Sequence, residues 1–129
     1  MSDIKKKRFE NADERRLEPY ALLEVVKFGC QTAIRGTYEP GWRWSESDSG
    51  DTLTGWCEEE HFGFIVTGTM VFRMADGTEM EFTTGDLVSI PPGHDAWVAG
   101  SSSCVFLDFQ IQSRLIEQDG ILHENSILL

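Results

Sequence analysis

The chain has 129 residues, 40% hydrophobic and 26% charged, values that exclude a disordered segment and allow one domain with a core of its own. Residues 1–16 hold six of the eleven Lys/Arg and four of the 22 Asp/Glu, and the net charge is −11; so acidic a body repels phosphate backbones and argues against nucleic acid as a partner. Cys30, Cys57 and Cys104 are too few and too widely spaced for a disulfide framework or a zinc ribbon, so reduced thiols are expected. No apolar run is long enough to cross a bilayer, and the basic start has no apolar stretch behind it. No membrane partner and a cytoplasmic location are expected.

Residues 1–16 lack a strand pattern and read as a flexible lead-in, with a helical turn around Ala12–Leu17 and a solvated basic run at Lys5–Arg8. From Tyr20 the texture changes. ALLEVVKFG and QTAIRGTYEP are rich in β-branched and aromatic residues and broken by Gly and Pro, as strands are. Trp42 and Trp44 stand two apart and share a face, away from Arg43 and Ser45. They serve either the core or the mouth of a pocket. SESDSGDTLTG, residues 45–55, is a polar loop placed to form a rim.

The stretch from His61 to Trp97 organises the rest: short strands joined by turns at ADG and TTGD, with a histidine near each end. Its first strand, HFGFIVT, is apolar on both faces, which predicts cover on both sides. N-terminal strands or a second subunit would supply it, and a homodimer through a sheet face is expected. In CVFLDFQIQ, Cys104, Phe106, Asp108 and Gln110 take one face, and Val105, Leu107, Phe109 and Ile111 the other. Residues 113–129 form a tail, with a helical turn near Leu115–Gln118 and an apolar end that would dock on a neighbour. Eight or nine short strands with glycine turns make an all-β sandwich or barrel over residues 17–112.

Gly85, five residues, Pro91, one residue and Gly93 resemble the second motif of the cupin superfamily, and His61, six residues and Gly68 resemble the end of the first. The hairpin between them is cupin-like too. PGWRW ahead of C…HFGF…PPGHDAW is similar to a group of small bacterial cupins. The resemblance implies an RmlC-like jelly-roll, a six- to eight-stranded antiparallel β-barrel with added N-terminal strands. It also implies a divalent metal on two histidines and a glutamate from the first motif and one histidine from the second. Here those places fall on Gly55, Cys57, His61 and Ala96, so none holds its usual ligand.

Cys57, His61 and, two residues early, His94 remain as a metal set. Thiolate with two imidazoles suits zinc better than iron or manganese. Glu79, Asp95 and Asp108 are candidate partners for the second ring nitrogens. The alternative is a cavity for an organic ligand, lined by Trp42, Trp44, His61, His94, Phe106 and Asp108, or a plain core in which the histidines are hydrogen-bonded and Cys57 is a small apolar group. Alternation puts His94 on the inward face of Ala96, unless the PPG turn sends it outward to a loop carbonyl. Two functions follow: a small-molecule-binding or sensory cupin with a degenerate or zinc-type site, or a metal-dependent isomerase, lyase or oxygenase on a small polar or carbohydrate-like substrate.

Overall fold

The computed structural model describes residues 3–47, 50, 52–111, 114–118 and 121–125, with side chains described as far as residue 111. Its strands are β1 (Glu14–Glu18), β2 (Ala21–Phe28), β3 (Gln31–Tyr38), β4 (His61–Thr67), β5 (Thr69–Met74), β6 (Glu79–Thr83), β7 (Leu87–Ile90), β8 (His94–Val98), β9 (Cys104–Ile111), β10 (Arg114–Gln118) and β11 (Ile121–Asn125). Two single-turn 3-10 helices, Phe9–Asn11 and Trp44–Glu46, are the only helical elements among the described residues.

The strands form a six-stranded sheet in the order β1-β2-β3-β9-β4-β7, a three-stranded sheet β6-β5-β8 and the hairpin β10-β11. All pairings are antiparallel. The larger sheet takes in β1, β2 and β3, the strands N-terminal to β4. The core lies where the inner faces meet, with Ile65 from β4, Val88 from β7, Met70 and Phe72 from β5, Ala96 and Val98 from β8, and Cys104 and Phe106 from β9.

Two local expectations differ from the structure. Residues Ala12–Leu17 make no helical turn; Glu14–Glu18 is a strand paired along its whole length with β2. Leu115–Gln118 lies in strand β10, paired with β11. In both places a partner strand overrides weak local helix preference, as tertiary context regularly does.

The N-terminal cover reaches only part of the outer face. Glu24 on β2 is buried, held at 2.9 Å by both Arg15 and Arg35. The Arg35 guanidinium lies 4.9 Å over the Phe9 ring. Across β4, β7 and β9 the outer face stays open: Phe62, Val66, Leu87, Phe109 and Ile111 are exposed. Thus β4 has the two apolar faces its sequence shows, one of them uncovered in the monomer.

Gly63 lets the larger sheet pack tightly. A Cβ on it would run into the Leu107 carbonyl and the Phe106 ring. Glycine is required there by close approach rather than by its backbone angles.

Candidate metal centre and cavity

Cys57 sits outside the named strands but is locked to β8 by backbone hydrogen bonds. Its amide donates to the His94 carbonyl at 2.7 Å, and its own carbonyl accepts from Gly93 at 2.7 Å. That bridge brings the loop thiol to the first residue of β8. His61 opens β4 on the face it shares with Gly63 and Ile65. The inner face of β4 looks across to β5 and β8, so the two imidazoles meet with centroids 4.9 Å apart. One donor atom each from Cys57, His61 and His94 fall within 4.8 Å of one another.

Both imidazoles are oriented. His61 Nδ1 lies 2.6 Å from Asp108 Oδ2, and Asp108 comes from β9 in register with Gly63. His94 Nδ1 lies 2.9 Å from the Pro91 carbonyl oxygen. A carbonyl only accepts, so His94 Nδ1 donates to it and Nε2 is the ring nitrogen left to the triad. A carboxylate beside His61 Nδ1 favours the proton there too. The outward alternative for His94 therefore fails in half: it does bond a loop carbonyl, yet the residue is only 1% exposed and faces inward with Ala96.

The electrostatics set Cys57 apart from the other buried thiol. Burial pushes Cys57 up, but hydrogen bonds from His61, His94 and the Glu59 backbone outweigh it and bring the thiol down to about 6. Burial depresses His61, and the Asp108 and Cys57 hydrogen bonds overcome it to raise the imidazole to about 9. Without metal, thiolate and imidazolium thus stand as a pair near neutral pH. Cys104, with burial alone acting on it, is raised to about 11 and stays a neutral thiol.

The triad lies in the wall of a cavity of about 610 Å³. Trp42, Trp44, Phe106 and Asp108 line it, as do Tyr38, Thr52, Glu58 and Glu59, and its outer part runs along the inner face of β1 to β3. Trp42 and Trp44 are buried and Arg43 points out to the Trp97 ring, 4.3 Å away. This segment is no strand, but the bridge from Arg43 to Trp97 keeps the alternation. Asp95 fastens it by accepting from the Ser45 amide, the Ser45 hydroxyl and Arg43 Nε. Of the candidate partners for the histidines, only Asp108 serves; Asp95 holds this loop and Glu79 is exposed. Thr52 takes the rim place expected of the polar loop, of which 48, 49 and 51 lie outside the described residues.

Sequence reasoning missed the wall supplied by Tyr38 and by Leu23, Val25 and Ile34 of β2 and β3. No motif marks these residues; their role follows from the β2–β3–β9 pairing, which puts Val25, Ile34 and Asp108 in one register row.

No family model matches the sequence, and no curated protein does. Solved structures do. An RmlC-like cupin from Shewanella frigidimarina matches 81% of this chain and 87% of its own at 16% identity, with a TM-score of 0.59. The chain has the cupin fold. A Rhizobium leguminosarum protein of unknown function shares it over 85% of this chain and 98% of its own, at 17% identity and a TM-score of 0.61. Oxalate decarboxylase from Lactobacillus farciminis, solved as a formate complex, matches 86% of this chain at 18% identity and a TM-score of 0.61. The chain spans only 34% of that enzyme's length. At such identities the likeness is one of backbone, and the site is argued on its own residues.

Among the described residues, the donor set fits a divalent metal. Three convergent donors, two imidazoles fixed through Nδ1 and a thiol already inclined to ionise are what such an ion needs.

Proposed function

We propose that this cupin is a small-molecule-binding protein whose ligand docks beside a zinc ion held by Cys57 Sγ, His61 Nε2 and His94 Nε2. One observation carries the reading: both histidines have Nδ1 committed to an acceptor, leaving both Nε2 atoms to share a donor cluster with Cys57. In a plain core two imidazoles, each oriented through Nδ1, would have no reason to converge on one thiol. Sulfur with nitrogen favours zinc over the harder divalent ions.

Three protein donors leave a coordination place for ligand or water, a pattern of reactive rather than purely structural zinc sites. That supports the second reading, a metal-dependent isomerase, lyase or oxygenase. Bound zinc would supply a Lewis acid and a water of lowered pKa. Both cavity histidines then serve as ligands, and among the described side chains no histidine is left to move a proton. Proton transfer would then fall to a wall carboxylate such as Glu58 or Glu59. The binding role asks less of the residues present, and it is the reading we adopt.

The partner is a second copy of the chain, covering the apolar outer face of β4, β7 and β9. The protein is taken to act in the cytoplasm.

The test is metal content. Tag-free protein, analysed by mass spectrometry for zinc, iron, manganese, nickel and copper, is expected to carry near-stoichiometric zinc. That zinc is expected to vanish in both Cys57→Ala and His61→Ala. Wild-type protein that folds without metal and takes up none on dialysis against zinc overturns the proposal.

A further inference from the structure

The outer face of β4, β7 and β9 holds Phe62, Phe64, Leu87, Leu107, Phe109 and Ile111, and no charged residue stands on it. In a chain of net charge −11 it is an uncharged patch on an acidic surface. A large apolar patch with a polar rim marks an interaction site. The N-terminal cover stops at Arg35 of β3, the register partner of Leu107.

The chain also carries an element without a support of its own. β10 and β11 pair with each other and with no other strand among the described residues. A lone two-stranded hairpin is marginal in water and needs an apolar surface to lie on. The sequence of this one supplies Leu115, Ile116, Ile121 and Leu122 for such a contact. The face of its own barrel is out of its reach. Both edges of β9 are taken, by β3 and β4, so β10 cannot extend the sheet beside the strand it follows. A layer stacked on the face lies about 10 Å above it. The three Cα steps from Ile111 at the end of β9 to Arg114 at the start of β10 span about 10 Å when fully extended. No length is left for a reversal.

We propose that the β10–β11 hairpin docks on the outer face of β4, β7 and β9 of a second copy, so that two chains exchange hairpins. A strand of five residues covers about 17 Å, more than the roughly 10 Å across three neighbouring strands. Each copy has one such face and one such hairpin, so reciprocal exchange satisfies both and closes at two chains. The exchange rests on the second-copy reading given above and adds the element that does the covering.

Light scattering on the full-length chain is expected to give twice the 14.6 kDa chain mass. Leu115→Ser, Ile116→Ser, Ile121→Ser and Leu122→Ser, made together, are expected to bring it down to once that mass at the same concentration, with cooperative thermal unfolding retained. A second experiment traps the contact. In a Cys30→Ser background, Leu87→Cys is combined with Leu122→Cys in one protein and with Leu115→Cys in another, and both are mildly oxidised. Covalent dimers are expected on a non-reducing gel, with position 87 of one chain bridged to the hairpin position of the other by peptide mass spectrometry. A wild-type monomer overturns the second-copy reading and the exchange together. A wild-type dimer that survives the four serine substitutions overturns the exchange alone. So does a bridge formed within one chain, a bridge only from position 87 to position 87, or no bridge from position 87 to either hairpin position. Should the fourfold variant fail to fold, the bridge pattern decides.

Discussion

A histidine binds a metal through a nitrogen that has no proton, so the proton count at His61 and Cys57 controls loading. His61 is raised to about 9 and Cys57 lowered to about 6. Between these values the metal-free site holds a thiolate and an imidazolium, and zinc must displace only the His61 proton. Binding at neutral pH is therefore expected to release about one proton from this pair. The number should rise toward about two below the Cys57 value and fall toward zero above the His61 value. Calorimetry in buffers of different ionisation enthalpy checks it, and two protons at neutral pH would contradict the paired state. Asp108→Asn keeps the shape but exchanges the carboxylate beside His61 Nδ1 for an amide. A loss of about 10–100-fold in zinc affinity is expected, the usual cost of removing such a partner, and chelator competition measures it.

Elements place these residues, and two junctions matter most. The first is the close packing of β4 on β9 at Gly63, two residues from His61 and in register with Asp108. Gly63→Ala forces a Cβ against backbone that has no room to yield. A loss of about 3 kcal/mol is expected, together with weakened zinc binding because His61 and Asp108 part. Urea unfolding of the metal-free protein separates the stability effect from the site effect. The second junction is Asp95, which ties Trp42–Ser45 to β8 through three hydrogen bonds. Asp95→Ala leaves the Ser45 amide unmet and should cost about 2 kcal/mol. It should also shift tryptophan emission to the red as Trp42 and Trp44 gain water. Unchanged emission would mean that the aromatic wall is held by packing alone.

At the scale of the molecule, the open question is the outer sheet face. Phe62 on β4 is 60% exposed and Leu87 on β7 72%, with Phe109 and Ile111 of β9 beside them. Monomeric proteins rarely leave so continuous an apolar sheet face wet, so a dimer is expected by light scattering. Phe62→Glu together with Leu87→Glu should give a monomer that keeps its zinc, since the outer face and the cavity lie on opposite sides of the sheet. A wild-type monomer at high concentration would remove the second copy from the proposal.

The sequence by itself determined the all-β class, because alternation and glycine turns are local and depend on no distant partner. It determined the inward address of His61, whereas that of His94 was decided by the fold, because the PPG turn leaves its parity open in the sequence. It also marked β4 as a strand needing two covers. Tertiary structure alone decided that Glu14–Glu18 is a strand, since a pairing partner can outweigh weak local preference. It also decided which of Glu79, Asp95 and Asp108 meets a histidine, because that depends on the β4–β9 register. The convergence of Cys57 with His61 and His94 depends on a backbone bridge from a loop to β8. That Trp42 Nε1 and Asp108 Oδ1 lack a hydrogen-bond partner among the described residues is visible only after every neighbour has been placed. A sequence states what a residue can bond; the fold states which of those bonds is left unmade.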